Sequence, residues 1–372
     1  MTFLNNSLRG GAYGRGLWMI LGLALVALAI FINKENKRVS NGKLAHQPSS
    51  VNPSTKVPAP KNRDWPIYRG DSSLTGYTET ELPDSLKLKW VFKTDDAIKS
   101  SPIIVDGKVF VGSADSYFYA LEASSGKLLW KHQTDGKILG AANGVSLPKE
   151  NLTKIFVGSY DSKLYCFNSK NGKVLWSYET GSYIHGAPAI NRAQVVFGGC
   201  DATLHALSAA NGQKITAIPT GAYIASSVAL SGAHAYVGNY GNQFLCADIQ
   251  TGKTVWMYEN GGFPFFSSAA IEKTRVVVGS RDKRLHCLAR EDGKLFWTFL
   301  TRGEVDSSPI ICQDKIIFGS NDGRLYMVKL SDGKEIWSYE IGQAITSSPA
   351  IAEGMVVVGS DDGSLYAFGS EN

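Results

Sequence analysis

Six histidines, five cysteines and a recurring series of aspartates are the side chains of this chain best suited to catalysis or metal binding. Metal sites need such ligands at short, fixed spacings. His46, His132, His185, His205, His234 and His286 show no such spacing. No nucleophile elbow and no Gly-rich phosphate loop leading into a helix is visible. His185 with Asp306 or Glu304 is the one acid–base pairing the sequence offers, and nothing else in it supports that chemistry. Asp115, Asp161, Asp201, Asp282, Asp322 and Asp362 recur in Gly-Ser-x-Asp or a near variant. In such a turn the carboxylate accepts a local backbone N–H, which suffices to explain it. Six equivalent turns spread round a ring are a poor metal site.

The cysteines follow the same repetition. Cys166, Cys246 and Cys287 take the slot held elsewhere by Ala120, Ala206, Met327 and Ala367, and Cys312 replaces Val105. They read as small buried hydrophobes. Cys200 lies in a turn. An odd count in equivalent slots is a poor disulfide framework, so no bridge is predicted.

What positions these residues is a repeat. Gly-Lys-x-x-Trp occurs at 126–130, 172–176, 252–256, 293–297 and 333–337, with a degenerate copy at 212–216. Trp90 opens the series, so Trp90, Trp130, Trp176, Trp256, Trp297 and Trp337 share one register near 40 residues. A second marker runs in step, from GSADSYFYAL (112–121) to GSDDGSLYAF (359–368), seven copies in all. A pair of small residues, such as Ser100-Ser101 or Ser347-Ser348, precedes each.

Each unit reads as four short strands rich in β-branched and aromatic residues, bounded by Gly, Asp or Ser. No unit carries a 3.6-residue apolar stripe, which excludes a helical solenoid. A period near 40 with four strands per unit implies an all-β fold, a β-propeller. The chain enters with an isolated Trp-bearing strand, Lys87 to Thr94, and leaves with three strands lacking a fourth. Joining them closes a ring of seven four-stranded antiparallel blades over 87–372. The tryptophans are then expected to dock between blades, each indole near the following Gly-Lys turn.

Function is expected where the repeats differ. Nine or ten residues after each Trp slot stand Lys99, Leu139, His185, Ala225, Phe266, Asp306 and Thr346. Two residues earlier come Ala97, Lys137, Tyr183, Tyr223, Pro264, Glu304 and Ala344. These positions should line one rim of the channel. Phe263, Phe265 and Phe266 make an apolar cluster there, suited to a peptide or protein partner if exposed.

The rest of the chain divides by composition. Residues 1–16 are a basic leader, and 17–32 (LWMILGLALVALAIFI) form an uncharged run of about 24 Å as a helix. The run is short for a span and long for a signal peptide. Small residues suited to cleavage do not follow it, so an uncleaved anchor is the expectation. Residues 33–63, with four prolines and no aromatic residue, read as a flexible tether. Residues 64–86 lead into the repeats. Residues 1–63 carry nine basic side chains and one acid, a net of +8, whereas the remainder is −3. The overall +5 therefore belongs to the tail, and a nucleic-acid-binding body is excluded.

The unit from Ala120 to Trp130 resembles the tryptophan-docking repeat of the pyrroloquinoline-quinone (PQQ)-like propeller superfamily. Trp65-Pro66-x-Tyr68-Arg69-Gly70 with Thr75-Gly76 is similar to the lead-in of exported bacterial members. The resemblance implies one of two branches. Quinoprotein dehydrogenases are larger, eight-bladed enzymes that bind PQQ with a calcium ion and carry an adjacent cysteine pair, which this chain lacks. Scaffolds similar to the outer-membrane β-barrel assembly lipoprotein bind partner proteins through loops on one face and use no cofactor. The expectation is a membrane-tethered, extracytoplasmic scaffold for envelope proteins, without cofactor. A PQQ-dependent oxidoreductase or a receptor for a glycan or small ligand is the alternative.

Overall fold

The computed structural model describes residues 64–371, apart from 148–149, 192, 220–226 and 240. The expected leader, anchor and tether (1–16, 17–32 and 33–63) lie outside the described residues. Among the described residues no helix is long and apolar enough to cross a membrane.

Seven sheets are arranged as the repeats require. In blade 1 an inner strand Ile103–Val105 is followed by Lys108–Gly112, Tyr117–Glu122 and the outer strand Leu128–Gln133. Blades 2 to 6 repeat this antiparallel order over 143–179, 189–219, 229–259, 270–300 and 310–340. Blade 7 joins Ala350–Ala352, Met355–Gly359 and Ser364–Gly369 to Lys87–Lys93, which supplies its outer strand. The ring is thus closed by strand pairing between the two ends of the repeat region.

Burial follows from a blade's being sandwiched between neighbours. The second strand of blade 1 is buried on both faces, whereas the outer strand Val174–Glu179 of blade 2 alternates exposed and half-buried residues. Continuous apolar runs such as Lys108–Gly112 therefore pack against two blades at once, like strands buried on both faces. In all seven blades the ladder between third and outer strands shifts register by one residue beside the Trp slot. Such a bulge re-aims the side chain next to it. Here it turns the indole along the seam toward the next blade.

There the Trp90 Nε1–H donates to the Ala123 carbonyl (2.8 Å), Trp130 to Ser169 (3.1 Å) and Trp256 to Arg290 (3.0 Å). Trp176 and Trp297 do the same with Ala209 and Leu330. The glycine of the receiving turn lies flat under the ring. A Cβ at Gly172, whose φ is +70°, would sit 2.6 Å from the Trp130 indole. Trp337 meets Phe368 edge-on at 5.7 Å, in a blade with no turn between its third and outer strands. Trp90 and Trp256 are buried, and Trp130, Trp176, Trp297 and Trp337 are half-buried against the blade cores.

Candidate rim and axial channel

Strand direction puts the loops between blades and the Gly-Ser-x-Asp turns on one face of the ring. The recurring aspartate works as expected and does more. Asp115 Oδ1 accepts the Tyr117 N–H (2.9 Å), its Oδ2 accepts the Tyr119 hydroxyl (2.7 Å), and the Asp95 N–H of the preceding loop reaches Oδ2 at 3.2 Å. Equivalent bonds tie Tyr165 to Asp161, Tyr326 to Asp322 and Tyr366 to Asp362. Burial, reinforced by the carboxylate, pushes the Tyr366 phenol up to about 12, so it stays a neutral donor. His205 and His286 take the tyrosine's place, each 2.9 Å from Asp201 or Asp282. These histidines are packing residues.

The residue between Ser and Asp was missed by sequence reasoning. Its N–H donates to a loop carbonyl in six of the turns: Ala114 to Ala97, Tyr160 to Lys137, Cys200 to Tyr183, Arg281 to Pro264, Asn321 to Glu304 and Asp361 to Ala344. The frame recurs in these six turns while the paired side chains differ. The signal was present, since this position changes in nearly every copy of the Gly-Ser-x-Asp turn.

The predicted rim residues fall into two arcs. At the entries to blades 5 to 7 and 1 the partners are polar. Arg281 grips Asp306 with two bonds of 3.0 Å, lies 3.7 Å from Glu304, and stacks over the Phe266 ring at 4.1 Å. Asn321 Nδ2 donates to both Glu304 and Asp306. Lys99 pairs with Asp361 (3.1 Å), and Lys137 with Asp96 (3.7 Å). At the entry to blade 3 the arc is aromatic. Tyr160 stacks on Tyr183 at 5.0 Å, and its hydroxyl meets His185 Nδ1 at 2.8 Å. Burial holds the half-buried His185 below the usual histidine range. Tyr183 is 52% exposed. Tyr223 lies outside the described residues.

Two expectations change here. Phe263, Phe265 and Phe266 do not form one exposed patch. Phe263 is 48% exposed, Phe265 is 2% exposed and packs on Phe244 and His286, and Phe266 is half-buried beneath Arg281. Alternation along the extended loop sends neighbours to opposite sides. His185 and the Asp306–Glu304 pair stand at the entries to blades 3 and 6, each with its own partner, and make no acid–base couple.

Inside the rim, the small-residue pairs lace the blades together. The Ser268 N–H donates to Ser308 Oγ (2.9 Å), Ser308 to Ser348 (3.1 Å) and Ser348 to Ser101 (2.9 Å). The first serine of a pair accepts a glycine N–H of its own blade, as Ser267 does from Gly279, and Ser100, Ser307 and Ser347 donate onward. Where blade 2 has Ala141 instead, Asn143 bridges to the Pro188 carbonyl (2.7 Å).

Below this ring the channel holds residues 64–82. They enter beside the first turn of blade 1, where Asp64 accepts the Asp106 N–H, and leave beside blade 6, where the Glu79 carbonyl meets Gln313. Trp65 pairs with Ile104, and Tyr77–Thr78 add a parallel strand to Ile310–Cys312. The Tyr68 N–H donates to Asn143 of blade 2. Next to it, Arg69 donates to the carbonyls of Ala269 and Pro309 in blades 5 and 6, at 2.6 Å each. Blade 2 faces blades 5 and 6 across a seven-membered ring, so Tyr68 and Arg69 cross the axis.

The chain's own Tyr68 and Arg69 stand on that axis, and among the described residues no group of three His, Cys, Asp or Glu could hold a metal. The cysteines are all free, four of them buried. Burial raises the thiols of Cys166 and Cys287 to about 12, which keeps them protonated and inert.

A family model described as outer membrane protein assembly factor BamB matches residues 83–256 and 200–372. Among solved structures, a europium-containing methanol dehydrogenase superposes with a TM-score of 0.61 at 13% identity, covering 84% of this chain and 99% of that one. The quinohemoprotein alcohol dehydrogenase from Comamonas testosteroni gives 0.58 at 14%, covering 83% and 81%. BamB from Moraxella catarrhalis gives 0.49 at 18%, covering 80% and 97%. At these identities the likeness is one of fold. No curated protein matches the sequence. The repeats, the ring of seven blades and a model match running over 83–372 place the chain in the BamB-type family of PQQ-like β-propellers.

Proposed function

We propose that this propeller is a membrane-tethered, extracytoplasmic scaffold that binds envelope proteins at its rim and catalyses no reaction. The observation that carries this is the rim itself. One backbone frame recurs in the turns described, yet it presents a stacked tyrosine pair, an exposed phenylalanine and a buttressed charge cluster at different points. Exposed aromatic side chains held rigid by their neighbours are what protein interfaces use as anchors. Membership of a family described by an assembly factor supports the same reading.

The test is crosslinking on native membranes, with the partner identified, then repeated with Tyr183→Ser and Phe263→Ser. Loss of that partner with an unchanged melting temperature is the expected result. Partner capture indifferent to both substitutions sinks the rim. Dye-linked alcohol or sugar oxidation after addition of PQQ and Ca²⁺ would establish an oxidoreductase instead.

A further inference from the structure

We propose that residues 64–82 are an axial clasp, pinned by Arg69, that closes the channel of this propeller to a quinone or any other planar cofactor. The inner strand of a blade has one edge facing the axis, and its N–H groups need acceptors there. The clasp provides them. The Gly144 N–H donates to the Pro66 carbonyl, Leu230 to Ser73, Ile271 to Thr75, Ile311 to Gly76 and Gln313 to Thr78. Blades 2, 4, 5 and 6 are therefore satisfied by one segment, and blade 1 by the Trp65–Ile104 bridge.

The segment is shaped to fill the space. Trp65, Leu82 and Leu86 are buried in the same cluster as Ile104 and Ile351, which belong to blades 1 and 7. Gly70 lies against the Trp65 ring, and Gly76 lies against the Arg69 guanidinium, where a Cβ would be 2.1 Å from Nη2. Asp71 folds the loop between them by accepting the N–H groups of Ser73 (2.8 Å) and Thr75 (3.2 Å). Arg69 is 1% exposed, and its planar fork reaches two carbonyls on different blades at once. A lysine, with one ammonium point, cannot make both bonds in that geometry. The Tyr68 hydroxyl reaches Ser308 of the serine ring at 3.2 Å, so the clasp stops just under the rim.

The test uses the full chain in detergent. Hydrogen exchange should find the amides of Leu230, Ile271 and Ile311 as slow as Val276 within blade 5, and equilibrium dialysis with PQQ and Ca²⁺ should find no saturable uptake. Arg69→Lys should speed exchange at Ile271 and Ile311 by about tenfold or more and leave Val276 unchanged. Arg69→Ala is the harsher variant, and the lysine form serves where it fails to fold. Fast exchange of these amides in the unmodified protein, saturable quinone uptake, or an Arg69→Lys variant that exchanges as slowly as the parent would each overturn the clasp. The scaffold reading is separate, since a clasp can fail while the rim still captures its partner.

Discussion

At the residue scale, repetition separates structural from variable positions. The glycine under each of five indoles has a positive φ and no room for a side chain, as Gly172 shows against Trp130. Gly172→Ala should cost about 1–3 kcal/mol, combining backbone strain with overpacking, and urea unfolding will measure it. A loss under a few tenths would mean that the indole has somewhere else to go. His185 supplies a pH signature. Burial depresses its folded pKa below the unfolded value of about 6.5. Its share of stability is therefore complete above that value and is lost as pH falls through the folded pKa. His132, also held low by burial, acts in the same direction. Melting temperature should fall on acidification from neutral pH, and His185→Gln should flatten part of that slope. An unaltered slope would assign it elsewhere.

At the element scale, the inner strands are short and owe their order to what surrounds them. Ile103–Val105 and Ala350–Ala352 have three residues each, yet all six are buried. The serine ring holds them on the rim side and the clasp holds them from below. Ser308 sits at a junction, accepting the Ser268 N–H and meeting the Tyr68 hydroxyl. Ser308→Ala leaves a buried N–H without its acceptor, a loss of about 1–3 kcal/mol by calorimetry. Ser125→Ala, in an exposed turn, is the control and should be near neutral. Equal effects from the two would remove the ring from the account.

At the scale of the whole molecule, closure is the weak point of any ring. The outer strand of blade 7 is held to Ser364–Gly369 by pairing and to blade 1 by Trp90, whose indole bonds Ala123. Trp90→Ala should cost about 3–5 kcal/mol. It should also speed amide exchange in Ser364–Gly369 more than in the matching strand of blade 3. Uniform exchange across the blades would show that the ring opens elsewhere. Asp64, bonded to the first turn of blade 1, lies on the face opposite the rim.

The sequence by itself determined the blade number, the strand order, the closing strand and the docking of the tryptophans. Those follow from periodicity, because each unit must bury the same faces against its neighbours. It also marked the rim loops, because there the repeats diverge. What only the tertiary structure decided is how those loop residues pair. Arg281 with Asp306, Tyr160 with His185 and Lys99 with Asp361 meet across different turns, joined by blade geometry and by no spacing visible along the chain. The clasp was hidden for a related reason. Residues 64–82 carry no repeat and little regular structure of their own, so their place on the axis depends on the open edges of five blades that exist once the ring has formed.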